Sequence, residues 1–118
     1  MVSIRLFAPV VQVLCVDPGS GEILRSFGQN LMMMPHSILV EPDSMGATAF
    51  IWLTDVGLHQ VLKLDAVTGE VVLRLGEEKV PGKTQARLCK PSGVALYRGS
   101  QLELICDFFP ILPLLLLQ

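Results

Sequence analysis

Two histidines, His36 and His59, carry the imidazole nitrogens through which this chain could ligate a metal ion. His36 stands in Met34-Pro35-His36-Ser37, just ahead of the aliphatic run Ile38-Leu39-Val40. A second stretch, Lys90-Pro91-Ser92-Gly93-Val94-Ala95-Leu96, matches this one and has Ser92 where His36 stands. The scaffold therefore does not require histidine there, and two readings stay open: a metal ligand, or a partly exposed turn histidine. His59, in Gly57-Leu58-His59-Gln60, leads into a strand-like run and reads as a turn or surface residue. Met32-Met33-Met34 reads as flexible apolar packing ahead of a strand, since no Cys or His accompanies it in a soft-metal spacing. Gly19-Ser20-Gly21 is a poor phosphate cradle, because such a loop opens a helix and here the strand-like Glu22-Ile23-Leu24 follows. No nucleophile–base pair suited to acyl transfer is evident. Cys15, Cys89 and Cys106 make an odd set, so at least one thiol is unpaired in any monomer.

The elements that must position these residues come from a repeat. VLCVDPGSGEILRSFG begins at residue 13 and VLKLDAVTGEVVLRLG at residue 61; the two align without a gap. They share Val13/Val61, Leu14/Leu62, Asp17/Asp65, Gly21/Gly69, Glu22/Glu70 and Gly28/Gly76. Each copy reads as a β-hairpin: an alternating run, a turn cluster, a second run. Only Asp and the last Gly of the turn cluster survive in both copies, which marks them as the positions the backbone needs. Ile51-Trp52-Leu53-Thr54-Asp55 likewise matches Glu103-Leu104-Ile105-Cys106-Asp107. Four short strands in roughly 45–50 residues make one blade of a β-propeller. No stretch has a 3.6-residue apolar period, and the strands of an ordinary β-sandwich do not repeat one another in sequence. Trp52 is expected to fill a core between blades, and Glu77-Glu78-Lys79 with Lys83…Arg87 to form a solvated inter-blade loop.

The chain has 118 residues, is 51% hydrophobic and carries a formal charge of −2, which excludes disorder and gives no basic footprint for nucleic acid. At the observed repeat spacing it holds about two four-stranded blades, whereas a propeller closes with typically four to eight. The expected fold is thus all-β and incomplete, with broad apolar blade faces and open edges through which self-association is possible. Residues 13–107 form the repeat region. Residues 1–12 are a non-repeat segment whose apolar stretch, broken by Pro9 and Gln12 and lacking a small-residue cleavage site, makes no clear signal peptide. Residues 108–118 are an uncharged apolar tail with Pro110 and Pro113. That tail is shorter than the about 20 apolar residues a transmembrane helix takes, and read-through of non-native coding sequence is the expected origin.

The motifs VLCVDPGSGEILRSFGQNL, MPHS, WLTDVGLHQVLKLD and LCKPSGVAL together resemble peptidyl-α-hydroxyglycine α-amidating lyase, the second catalytic domain of peptidylglycine α-amidating monooxygenase. The resemblance covers roughly residues 13–107. It implies a six-bladed propeller of NHL-type repeats, cleavage of peptidyl-α-hydroxyglycine to peptide amide and glyoxylate, and a secretory-granule or extracellular location. It also implies a zinc ion held by three histidines, a nearby calcium, and a catalytic Tyr and Arg.

Carried over residue by residue, the resemblance makes His36 one zinc ligand and gives the Ile38 backbone carbonyl to calcium, while His59 has no metal duty. Phe109 takes the place of the catalytic Tyr and lacks its hydroxyl, so no catalytic residue is assigned. The family's Arg lies outside the matched residues, and only one of its three zinc histidines is matched. Cys89 matches a disulfide cysteine whose partner position is Pro110 here, so a free thiol is expected. The resulting expectation is part of an amidating lyase, inactive alone. The alternatives are a non-catalytic NHL-repeat binding or scaffold module and a truncated product without function.

Overall fold

Asp17 and Asp65 show why the repeated segments fold as hairpins. Asp17 Oδ1 accepts the N–H groups of Gly19 (2.8 Å) and Ser20 (2.9 Å), and Asp65 Oδ1 accepts those of Val67 and Thr68 (both 2.8 Å). The Gly21 N–H closes onto the Asp17 carbonyl and Gly69 onto that of Asp65, with both glycines at φ +76°. An L side chain there would be strained, so the shared Asp and Gly are the turn's requirements, as the sequence comparison implied. The backbone N–H groups of Ser20 and then Gly19 hold the Asp17 carboxyl below the usual aspartate value; those of Thr68 and then Val67 do the same for Asp65. A third turn of this kind, on Asp43, joins a further strand pair through Oδ1 bonds from Met45 (2.8 Å) and Ala47 (3.0 Å).

The computed structural model describes residues 2–7, 10–82, 87–97, 101–106 and 109–114. These form ten strands: β1 (Val2–Phe7), β2 (Val10–Val16), β3 (Ile23–Phe27), β4 (Pro35–Pro42), β5 (Thr48–Asp55), β6 (Gln60–Asp65), β7 (Val71–Leu75), β8 (Pro91–Tyr97), β9 (Gln101–Cys106) and β10 (Phe109–Leu114). Three antiparallel sheets result, ordered β1-β2-β3, β4-β5-β6-β7 and β10-β9-β8, and they do not close a ring. The chain is all-β, with one complete four-stranded blade between two three-stranded neighbours. No helix among the described residues is long and apolar enough to cross a membrane.

The central blade is apolar on both faces. Ile51, Leu53, Leu62 and Leu64 pack with Val13 and Met32, against Phe27 and Ile38, toward the first sheet. Trp52 and Val61 pack with Leu88, against Leu73, Val94 and Leu96, toward the third sheet. Alternation along β5 sends Trp52 one way and its neighbours Ile51 and Leu53 the other. In β7 a register shift opposite Lys63/Leu64 lets Val71 and Leu73, two residues apart, serve opposite faces. Each fully buried Leu or Val contributes about 1.5–3 kcal/mol relative to exposure, so the inter-sheet faces outweigh any single turn bond, worth about 1 kcal/mol. Trp52 fills the core between sheets, as expected, and donates Nε1–H to Glu41 Oε2 (2.7 Å). Glu41 also pairs with Lys63 (3.7 Å), whose ammonium sits over the Phe50 ring (3.9 Å to the centroid).

Three features depart from the sequence reading. β1 lies within residues 1–12 and pairs along β2, and β10 lies within the apolar tail and pairs along β9. Only Met32 of the methionine run is packed in the core; Met33 and Met34 expose more than half their surface. Finally, Pro91 faces Cys106, whereas Pro35 faces Asp55, so β9 pairs one residue out of the step implied by the sequence match. Asp107 lies outside the described residues, as does Lys83. Arg87 does form an exposed ion pair with Glu77 (2.9 Å) beside the expected solvated loop.

Candidate functional site

The site begins with what Pro35 removes. Proline has no N–H, so β4 cannot open with an ordinary ladder bond, and the N–H groups of Met33 and Met34, which precede the strand, take a side-chain acceptor. Asp55, fully buried at the end of β5, supplies it. Its Oδ2 accepts Met33 N–H (2.7 Å) and its Oδ1 accepts Met34 N–H (3.0 Å). The same Oδ1 accepts Gly57 and Leu58 N–H (both 2.9 Å) in the turn leading to β6. One carboxylate thus ties the entry of β4 to the exit of β5. The sequence showed a strand ending in Asp without revealing this duty.

His36 is the extra residue of a β-bulge. Pro35 faces Asp55 and Ser37 faces Thr54, so His36 has no cross-strand partner in β5. Its exposed ring crosses to the third sheet, where Nδ1 lies 2.8 Å from the carbonyl oxygen of Ser92. A carbonyl can only accept, so Nδ1 carries the proton and, in the neutral ring, Nε2 keeps its lone pair. A backbone carbonyl taking one ring N–H while the other nitrogen stays free is the usual setting of a metal-ligating histidine. Ser92 is the residue matched to His36 by the repeat and occupies the equivalent bulge of β8, between Pro91 and Gly93. The two bulges therefore meet across the sheet boundary.

His59 is wired the other way. It sits in the β5–β6 turn at φ +56°, and its Nδ1 accepts the backbone N–H of Lys90 (3.0 Å). Nδ1 therefore lacks the proton, and Nε2 carries it in the neutral ring. The carbonyl of His59 lies 2.4 Å from where a Cβ on Gly76 would be, and Gly76 has φ +89°. Glycine is required there by both space and conformation. These bonds give His59 a turn-building role.

The remaining sequence-derived positions fall around this frame. Ile38 lies two residues along β4, opposite Leu53, with its side chain against the core of the first interface. Cys15 and Cys89 are free, partly buried thiols. Phe109 faces Cys106, which faces Pro91, so these three form a row across the third sheet at the end where His36 arrives. Two strand spacings separate Phe109 from Pro91, roughly 10 Å. Pro110 follows within β10. Among the described residues no group of three or more His, Cys, Asp or Glu converges on one point, so His36 fits a metal as a single ligand and not as a complete set. A small apolar cleft between the first sheet and the central blade, lined in part by Cys15, Phe27 and Ile51, does not include His36. Arg25 at its edge donates to the carbonyls of Ala66 (2.7 Å) and Val67.

Sequence reasoning singled out His36 but missed the Ser92 carbonyl that its ring meets, because a backbone carbonyl leaves no mark on residue type. It also missed Thr54, whose Oγ1 accepts the Ser37 N–H (3.0 Å) just beyond the bulge.

No family model matches the chain. Individual relatives do. A Caenorhabditis elegans protein named as a probable peptidyl-alpha-hydroxyglycine alpha-amidating lyase is 42% identical over 81 residues, covering 69% of this chain and 22% of its own length. Peptidylglycine alpha-amidating monooxygenase of Rattus norvegicus is 41% identical over 96 residues, covering 80% and 9% respectively. Peptidyl-alpha-hydroxyglycine alpha-amidating lyase 1 of Drosophila melanogaster is 35% identical over 86 residues, covering 71% and 15%. The chain spans less than a quarter of the length of each of these curated relatives. Most of its residues nonetheless align with them, and the chain belongs to the peptidyl-α-hydroxyglycine α-amidating lyase family.

Proposed function

We propose that this chain contributes the blade bearing one zinc-ligating histidine, His36, to a peptidyl-α-hydroxyglycine lyase fold, and that residues 1–118 alone do not turn the substrate over. The observation that carries the ligand reading is the His36 Nδ1–Ser92 carbonyl bond, which leaves Nε2 free on an exposed ring. The Ile38 carbonyl, two residues on, is the calcium contact in this reading, and the blades are of NHL type. The setting is peptide amidation in a secretory or extracellular compartment, and the open faces of the outer sheets allow self-association.

The reaction requires loss of the hydroxyl proton from a carbinolamide as its N–C bond breaks; the nitrogen leaves as peptide amide and the carbon becomes the aldehyde of glyoxylate. Zinc, when held, supplies polarisation of the substrate oxygen. A catalytic zinc site takes three protein ligands, and His36 is one. Phe109, standing where the family has Tyr, has no hydroxyl with which to move a proton.

The test is glyoxylate release from a peptidyl-α-hydroxyglycine, with metal analysis of the pure chain after dialysis against zinc. The expected result is release at the uncatalysed rate and zinc well below one equivalent. Zinc-dependent release together with stoichiometric retention would overturn the reading that the chain is inactive alone.

A further inference from the structure

The blade that carries His36 differs from its repeat at more than the histidine. Ser37 is matched by Gly93, and Thr54 is matched by Cys106 in sequence and by Ile105 in strand register. Neither counterpart of Thr54 carries a hydroxyl. Asp55 belongs to the repeat pattern in sequence, so the features peculiar to this blade are His36, Ser37 and Thr54, and they are contiguous in space. Thr54 is fully buried. Its Oγ1 accepts the Ser37 backbone N–H (3.0 Å) and lies 2.8 Å from Ser37 Oγ, a hydroxyl–hydroxyl bond.

A bulge displaces the ladder and leaves an N–H beside it without its regular strand acceptor. Here a side-chain oxygen of the opposite strand fills that place. The bulge is therefore pinned on one side by Asp55, through Met33 and Met34, and on the other by Thr54, through Ser37. Between these two anchors the exposed His36 ring reaches the Ser92 carbonyl.

We propose that Thr54 and Ser37 are positioning residues for His36: their paired hydroxyls fix the bulge that keeps the imidazole in its Nδ1–H tautomer with Nε2 open. The pair acts through the backbone and touches neither metal nor substrate. The assignment rests on reading His36 as a ligand, but its geometric part is measurable without metal. A merely structural pair would change stability and leave the ring's protonation pattern alone.

The experiment is the imidazole 15N spectrum of the full chain at alkaline pH, where histidine rings are neutral, recorded for the wild type, Thr54→Val, Thr54→Ser and Ser37→Ala, without and with added zinc. Thr54→Val keeps the buried shape and removes both bonds; Thr54→Ser restores the hydroxyl. The wild type and Thr54→Ser should show His36 protonated at Nδ1 alone. Thr54→Val should show mixed tautomers and need about tenfold more zinc to perturb Nε2, the scale of loss when the hydrogen bonds that orient a metal-binding imidazole are removed. Ser37→Ala should shift the pattern in the same direction by less, and provides the reading if Thr54→Val does not fold. An unchanged His36 pattern in both Thr54→Val and Ser37→Ala overturns the positioning role. A shifted tautomer in a chain whose wild type shows no zinc response at Nε2 supports the positioning role and refutes the ligand reading alone.

Discussion

His36 and His59 lie on the same blade, and both grip the Lys90–Ser92 segment of the third sheet, yet they use the same ring atom in opposite senses. His36 Nδ1 donates to a carbonyl, and His59 Nδ1 accepts from an N–H. The first arrangement leaves a lone pair on Nε2, and the second leaves a proton there. The two also differ in backbone: His36 is the unpaired residue of a bulge, while His59 is a left-handed turn residue packed beneath Gly76. Residue type alone therefore does not distinguish the proposed ligand from the scaffold histidine. The hydrogen-bond partner of the other nitrogen does.

The contrast can be broken from either side. The largest effect is expected from Asp55→Ala, which strips the acceptor from four backbone N–H groups at the strand entry and the turn. Unsatisfied buried donors cost about 1–3 kcal/mol each, with water recovering part, so the loss should be about 3 kcal/mol or more by denaturant unfolding. His36 should lose its single ring pattern at the same time. A smaller effect is expected from His59→Ala, which removes one acceptor from Lys90 at the surface and should cost about 1 kcal/mol. That variant should leave the zinc response of His36 intact, whereas His36→Ala abolishes it. A zinc response that vanished with His59→Ala and survived His36→Ala would reverse the two roles.

Much of the blade was legible in sequence for physical reasons. Asp17/Asp65 and Gly21/Gly69 recur because a side-chain acceptor and a positive φ are what those reversals need. Trp52 announced an inter-sheet core because it interrupts an aliphatic strand with a large ring. β1 and β10 were not legible, since strand pairing is a backbone property and requires no repeat signature. Met33 and Met34 misled because apolar type suggested packing, while their backbone N–H groups, not their side chains, are what Asp55 holds. At the site, His36 stood out as a departure from Ser92. The carbonyl that orients it and the buried hydroxyl of Thr54 appeared only with the fold.

The most direct measurement is zinc titration of the 15N-labelled chain with the two imidazoles resolved. The account predicts that, before zinc, His36 is protonated at Nδ1 and His59 at Nε2, and that zinc perturbs Nε2 of His36 while His59 is unmoved. Identical tautomers at the two rings, or a zinc response centred on His59, would contradict it.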